Sequence, residues 1–594
     1  MTELGRWLAS LRRDAEREGG DRSAVLAGVA RLVGGVPAGI ALAAVDPAPV
    51  PPLPGGVVPT PELVGVAHEA LLGAGTRRSS GAHYTPPDVA ERLAAIALDG
   101  LHRGPRICDP ACGGGVFLLA AARLLQRRGL GPAEALAHLW GLDVDPLATA
   151  ASEAALALWA GVAPPEGHVR VADALDPATT SDLAGTFDTV IGNPPFLNQL
   201  ERATVRTRSN DARLRLDFGG AVRGYADTAG VFLLAGLDLL APGGRLVLIQ
   251  PQSLLATRDA AGIRNAALQR AALEGLWVAG ERVFDAAVHV CAPVFRRGEP
   301  QRDHVHRWRG AAVRPSGSVP FAPEPTWAAM AVDLPAAAPI RTSGTVADLA
   351  TATAGFRDQF YGLAPFVGDG IDGPRLVTSG LIEPGRIAWG ERPVRFAGRR
   401  FDAPAVDLDR LAADADPALV RWVRDRLVPK VVVATQTRVV EAAVDEEGTW
   451  VPSTPVIAVH TAVDRLWDIA AALMSPPITA WALRTYGGTA LAPDAVKLAA
   501  RQVLEVPLPA DRVAWAEGAA LLRAAATEPP NEPAERRRLL LEAGRALTAA
   551  YQDAGARVDD VLLSWWAARL PLPVDGRVRR STDRRGLGHG LGGK

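Results

Sequence analysis

The chain has 594 residues, 48% hydrophobic and 22% charged, with 64 basic against 65 acidic side chains and a formal net charge of -1. At roughly 100–200 residues per domain this length calls for three or more domains, and the composition excludes intrinsic disorder, collagen and a disulfide scaffold. A uniformly basic nucleic-acid sleeve is excluded as well, although a neutral total leaves the local distribution of charge open.

Lysine occurs only at Lys430, Lys497 and Lys594, so every other basic residue is arginine. With abundant Ala, Gly and Pro this matches a GC-rich coding bias, and arginine enrichment alone is no sign of phosphate binding. The shortage of lysine excludes whole mechanisms. A P-loop needs Gly-Lys-Ser/Thr, yet the sole Gly-Lys pair is Gly593-Lys594. The acidic-x-Lys of many metal-dependent nucleases is missing too, because Val428 and Ala495 stand two places before the internal lysines. No ATP-driven motor and no nuclease of that type is expected.

Three cysteines point to a reducing, cytoplasmic setting, and Arg6, Arg12 and Arg13 are followed by further charge rather than by a signal-peptide core. Cys108 and Cys112 have no second pair and no nearby histidine pair to complete four ligands, so no metal site is expected. The apolar stretch 24–45 contains Arg31, Gly34, Gly35 and Pro37, which favours two short helices over a membrane span.

Along the chain, residues 1–45 read as helical and 46–61 as a Pro/Gly-rich linker. From 62 to 300 short apolar runs alternate with Ala/Leu-rich helical ones, with strands expected at 106–108, 139–142, 169–171, 189–191, 245–249 and 288–295. That alternation is the pattern of an α/β fold with a largely parallel, doubly wound sheet. A linker is expected at 301–340. Over 341–510 Gly, Pro and Thr increase and β-rich segments mark a mixed α+β domain; 511–572 returns to helix, and 573–594 is a Gly/Arg-rich tail expected to be disordered.

The chemistry-bearing residues fall at the carboxyl ends of those strands. Asp109-Pro110-Ala111-Cys112-Gly113-Gly114-Gly115 is a glycine-rich turn between a strand and a helix, where the backbone can approach a ligand and a helix N-terminus offers free N–H groups. On its own it is equally a tight turn. The next strand ends at Asp143, where open α/β sheets present an acid to a ribose diol; a third ends at Asp173-Ala174 and a fourth at Asn193-Pro194-Pro195-Phe196. The two prolines stiffen a turn in which the Asn193 side-chain oxygen and the Pro194 carbonyl are both acceptors, which suits an NH2 group, and Phe196 offers a face to a planar ring. The same tetrapeptide is also compatible with a plain Pro-rich turn over a buried phenylalanine.

Taken together, Asp109 to Gly115 followed by Asn193 to Phe196 resembles the amino-methyltransferases that use S-adenosylmethionine, particularly the N6-adenine DNA methyltransferases. Upstream, Gly81-Ala82-His83-Tyr84-Thr85-Pro86 is similar to the Tyr-Thr-Pro motif of that family. The order of motifs resembles the Taq-like, type IIG and type I modification enzymes, and the resemblance covers roughly residues 75–300. Two further stretches, Ala347-Asp348-Leu349-Ala350 leading to Gly355-Phe356-Arg357 and Lys497-Leu498 leading to Val506-Pro507-Leu508-Pro509, resemble the two ends of a target-recognition module. One departure is Gly114, where the family usually has serine; glycine is expected to be harmless there.

The resemblance implies a Rossmann-like methyltransferase sheet with a C-terminal target-recognition domain and flanking helices. It implies that Thr85, Asp109, Ala111 and Gly113 line the methionine end of the cofactor, that Asp143 holds the ribose hydroxyls and Asp173 the adenine amino group, and that Tyr84, Pro110, Cys112, Gly115 and Ala174 complete the cofactor-binding set. Phe196 and Phe284 would stack on the flipped-out target base, Phe284 being equally readable as a core residue. Double-stranded DNA is the implied partner, with restriction or defence-system proteins as candidate companions. Two arginine-rich stretches are candidates for its phosphates: one after Phe196, with Arg206, Arg208 and Arg213, and one with Arg392, Arg395, Arg399 and Arg400. Each reads equally as a solvated basic face. N4 methylation of cytosine, methylation of a protein glutamine amide, and a catalytically silent DNA-binding subunit remain as alternatives.

Overall fold

A computed structural model of the chain describes residues 3–17, 21–72, 85–196, 208–222, 226–280, 283, 289–324, 326–336, 339–355, 357–487, 495–529, 532–553 and 555–571. It divides into two compact units, Met1–Glu324 and Pro325–Lys594. Tyr84, Arg206, Phe284 and the tail 573–594 lie outside the described residues, as does the side chain of Arg208.

The first unit begins with helices α1 (Glu3–Arg17), α2 (Arg22–Val33) and α3 (Glu62–Leu71). Asp21 caps α2 by accepting the Ser23 N–H, and Gly34 ends it, so the apolar run 24–45 is broken as its glycines and proline foretold. Among the described residues no helix is long and apolar enough to cross a membrane. Trp7, Leu11, Leu26, Val29, Val64 and Leu71 form one small core with Ala150, Ala151 and Ala154. The Pro/Gly-rich stretch between α2 and α3 is laid against these helices: Ala48 N–H donates to Ala24 and the Trp7 indole N–H to Pro51.

After helix α4 (Pro87–Leu98) the chain alternates: β1 (Ile107–Asp109), α5 (Val116–Arg127), β2 (Leu139–Asp143), α6 (Pro146–Ala160), β3 (Val169–Val171) and β4 (Phe187–Gly192). Then follow α7 (Thr228–Leu239), β5 (Leu240–Leu248), β6 (Gln250–Pro251), α8 (Ala261–Arg270), β7 (Ala271–Val278), β8 (Val290–Arg297), β9 (His304–Arg309) and β10 (Arg314–Pro320). These strands form one ten-stranded sheet in the order β10-β9-β7-β8-β5-β4-β1-β2-β3, with β6 paired to β8. Strands β1 to β5 run parallel. From β1 the chain winds outward through β2 and β3, then returns to β4 on the other side of β1. That reversal opens a crevice at the carboxyl ends of β1 and β4, where ligands of open α/β sheets bind.

All six expected strands form, within a few residues of the expected bounds. The strand β7 escaped the sequence reading because Ala-Ala-Leu-Glu-Gly-Leu-Trp-Val is apolar without alternation, and such a run does not separate strand from helix. The segment expected as a linker, 301–340, instead holds β9 and β10. Most of their side chains are exposed, so β9 and the edge strand β10 lack the apolar signal of a buried strand.

In the second unit a four-stranded sheet of Ala350–Ala354, Ile457–Thr461, Lys430–Val433 and Ala442–Asp445 shares a core with helices Leu466–Met474, Arg512–Thr527 and Pro533–Ala550. A second, smaller core gathers Phe366, Leu376, Phe396, Phe401 and Val423. Strands Thr342–Thr345 and Pro507–Pro509 pair antiparallel, with Thr342 opposite Pro509, so the stretch between them leaves and re-enters at one point. Lys430, 0% exposed, binds the carboxylate of Asp445, which also accepts backbone N–H groups of Gly448, Thr449 and Trp450. Lys430→Met would strand a buried carboxylate, so urea unfolding should show a loss of about 3–5 kcal/mol.

Candidate active site

The crevice contains a cavity of about 250 Å3 bounded by Thr85, Asp109 to Gly114, Asp143, Asn193 and Pro195, with α3 supplying Glu62, Gly65, His68 and Glu69. Each wall has a local cause. The β1–α5 turn is held to β2 by Cys112 N–H donating to Leu142 O (2.9 Å) and Gly113 N–H to Asp143 Oδ2 (3.0 Å). Gly113 and Gly115 adopt φ of +51° and +82°, the left-handed region that a side chain disfavours, which lets the turn fold back before α5 begins. Gly192 at the end of β4 leaves room for Asp109: a Cβ there would sit 2.4 Å from Asp109 Oδ1.

Gly114, the departure from the family pattern, has a specific partner. A Cβ at position 114 would lie 2.2 Å from the Cα of Gly65 in α3, and one at position 65 would lie 2.7 Å from the carbonyl oxygen of Gly114. The two backbones therefore touch, and glycine is required at both positions rather than merely tolerated. Beside this contact the buried His68 Nε2 meets Asp145 Oδ2 at 3.1 Å, while Asp145 Oδ1 accepts the Leu147 N–H as the N-cap of α6. Hydrogen bonding to His68 holds the Asp145 carboxyl below its ordinary range.

Electrostatically the cavity is lined by acids. Asp109 is 1% exposed, and burial pushes its carboxyl up to about 8, the charge of Asp143 adding to the shift and the Ala111 N–H opposing it. Asp143 is also raised by burial, moderated by the N–H groups of Asp145 and Gly113. At the end of β4, Asn193 Nδ2 donates to Thr85 Oγ1 (3.0 Å), which sets the plane of the amide. Thr85 and Asn193 stand 108 residues apart, and the hydrogen bond joins the Tyr-Thr-Pro and Asn-Pro-Pro-Phe motifs directly.

Of the residues singled out in the sequence, Thr85, Asp109, Pro110, Ala111, Cys112, Gly113, Asp143, Ala174, Asn193 and Pro195 meet on this one cavity. Pro194 and Phe196 are buried beside it, Phe196 at 8% exposure among core side chains that include Ile191 and Phe117. Gly115 caps α5 against Ser152. Asp173 accepts the Leu175 N–H and pairs with Arg213 at 2.9 Å, and Arg213 also meets Asp176 at 3.3 Å. Arg213 is thus committed to acids next to the cavity. In the second unit Arg392 and Arg386 converge on Glu383 with the buried Arg536. Arg395, Arg399 and Arg400 are exposed on the hairpin of strands Val394–Phe396 and Arg399–Phe401, where Arg395 stands opposite Arg400 and the guanidinium of Arg399 lies 4.9 Å from the Phe401 ring centre. The sequence reading missed α3 altogether as a site element. The signal was present: Glu62, Gly65, Glu69 and Leu72 recur at helical spacing on one face, and all four line the cavity.

This is a doubly wound fold with a carboxylate-lined cavity at its switch point and an Asn-Pro-Pro-Phe turn on the cavity wall. Comparison with known proteins makes the class specific. Residues 60–308 match the family model described as N-6 DNA Methylase. The type I restriction enzyme MjaIX methylase subunit of Methanocaldococcus jannaschii is 28% identical over 228 residues, 38% of this chain and 39% of that protein. The type II methyltransferase M.MamI of Microbacterium ammoniaphilum is 34% identical over 154 residues, 24% of this chain and 42% of that protein. These matches span less than half the length of the relatives. Among solved structures, the type IIL restriction-modification enzyme MmeI, determined in complex with DNA, is similar in fold with a TM-score of 0.61 at 14% identity, covering 94% of this chain and 92% of that one.

The contact of Gly65 with Gly114 yields a prediction that runs against the family pattern. Gly114→Ser, which restores the residue usual in relatives, should destabilise this chain by about 1–3 kcal/mol in thermal or urea unfolding. The pair Gly65→Ala with Gly114→Ser should be worse than either alone.

Proposed function

We propose that this chain transfers a methyl group from S-adenosylmethionine to the N6 amino group of a flipped-out adenine in double-stranded DNA, as part of a modification or restriction-modification system. The observation that carries the reading is the position of Asn193: it shares one cavity wall with Asp109 and Asp143 and is oriented by Thr85. The cavity suits the cofactor. Space is open around Gly113, where a Cβ would meet nothing within 4 Å, and two carboxylates 34 residues apart in sequence face the same volume. Thr85, Asp109, Ala111 and Gly113 would hold the methionine end, Asp143 the ribose hydroxyls and Asp173 the adenine amino group. S-adenosylmethionine, when bound, supplies a methyl group activated on a sulfonium.

The task of the protein is then to make a poor nucleophile reactive. The lone pair of an exocyclic adenine nitrogen is delocalised into the ring, and in a duplex the base is stacked and paired; extrusion costs a few kcal/mol. Asn193 Oδ1 and the Pro194 carbonyl accept the two N–H groups of that nitrogen, drawing it toward tetrahedral geometry so that its lone pair points into the cavity. Pro195 keeps the turn rigid, and Phe196 and Phe284 offer ring faces to the base. Catalysis is positioning and dipolar stabilisation, with no covalent bond to the protein. Exposed Arg395, Arg399 and Arg400 are the arginines best placed to meet DNA phosphates.

Two measurements test this. Wild-type protein should transfer labelled methyl groups from S-adenosylmethionine to unmodified DNA, with N6-methyladenine as the product by mass spectrometry, and Asn193→Ala should lower the rate on the order of 10²-fold or more. N4-methylcytosine as the product would overturn the adenine reading, and the absence of any DNA label would overturn the reading as a whole. The raised carboxyl of Asp109 gives a second test. Below about pH 8 that group is protonated in the free protein. A cationic methionine end brought against it favours the carboxylate, so cofactor binding near pH 6.5 should release up to about one proton, falling away above pH 8. Calorimetry in buffers of different ionisation enthalpy reads this release, and Asp109→Asn should abolish it.

A further inference from the structure

Past the end of β5, the chain buries two amide side chains that the cofactor cavity does not use. Gln250 is 0% exposed and Gln252 3% exposed, and among the described residues none of their four amide atoms meets a hydrogen-bond partner. Buried polar atoms are almost always paired, because an amide that gives up water without a replacement weighs directly against folding. Two such side chains, one residue apart at the carboxyl end of a central strand, therefore call for a ligand.

Topology says on which side that ligand lies. In the sheet order β5-β4-β1-β2-β3 the cofactor-side acids stand on β1, at the end of β2 and just past β3, all to one side of β4. The two glutamines stand on the other side. Gly192 of β4 is in register with Leu248, and Ile249 N–H donates to Gly192 O, which sets Gln250 next to the Asn-Pro-Pro-Phe turn. Val247 and Ile249 pack into the core with α4 and α5, so Leu248 and Gln250 face the opposite layer, where α7 packs against β6. Thr228, in the first turn of α7, carries a further buried hydroxyl with no partner, and one turn later Phe232 lines the cavity. Backbone pairing of β6 with β8 and of Gln252 N–H with His289 O fixes the segment, leaving its side-chain amides as the unused groups.

We propose that Gln250 and Gln252 bind the hydrogen-bonding edge of the target base while Asn193 holds its amino group, and so are specificity-determining residues of this site. An amide presents one donor and one acceptor side by side, the complement of an amino group next to a ring nitrogen, and glutamine reads adenine in this way in DNA grooves. The inference rests on the DNA-methyltransferase reading above. It explains why two unsatisfied amides persist: their partners arrive with the base.

The test exploits that cost. Gln250→Leu and Gln252→Leu conserve approximate volume and remove the unpaired amides. Each variant should melt at or above the wild-type temperature and bind S-adenosylmethionine within twofold of wild type, while kcat/KM for unmodified DNA falls about tenfold or more. A residue that merely supports the fold would give the reverse pattern, a lower melting temperature with kcat/KM unchanged, and that result would sink the proposal. So would variants whose kcat/KM stays within twofold of wild type. Failure of the parent reading is distinct: there the wild-type protein itself puts no label on DNA, and both inferences fall together.

Discussion

The site depends on the contact of two backbones. Where α3 crosses the glycine turn, Gly65 and Gly114 leave no room for a Cβ on either side, and this close approach brings a residue 49 positions upstream into the wall of the cavity. From the same helix His68 reaches Asp145, which caps α6 and donates its own N–H to Asp143. One chain of contacts thus runs from the N-terminal helices to the acid at the end of β2. The residue that departs from the family pattern at 114 is explained by a glycine nobody would pair with it from the sequence, since only packing makes the two neighbours.

Burial gives the cavity its chemical character. Asp109 stands at the carboxyl end of a central strand with almost no contact with water, opposite a β4 that ends in glycine to admit it. In such a medium a carboxyl keeps its proton unless a cation arrives, and burial raises Asp109 accordingly. The half-buried Asn193 amide is held in plane by its hydrogen bond to Thr85.

The balanced charge of the chain is resolved pair by pair. Arg213 answers Asp173 and Asp176, Arg245 answers Glu274, and Glu383 collects Arg386, Arg392 and Arg536. Of the arginines expected to mark a DNA surface, Arg213 and Arg392 are in this way drawn to acids. Arg395, Arg399 and Arg400 keep exposed positions on the β-hairpin, whose Phe396 and Phe401 turn into the smaller core.

Local order in the chain determined a great deal. The alternation of apolar runs specified the doubly wound sheet, and the strand-ending positions of Asp109, Asp143 and Asn193 specified the site, because a residue at the carboxyl end of a parallel strand reaches the crevice whatever else the fold does. Tertiary structure alone decided the rest. It made strands of the polar 304–320 region, placed α3 in the cavity wall, converted Arg213 and Arg392 from surface charges into ion-pair partners, and left Gln250 and Gln252 buried without partners among the described residues. Each of these depends on which atoms exclude water from which others across long sequence separations, and no periodicity within a single segment encodes that.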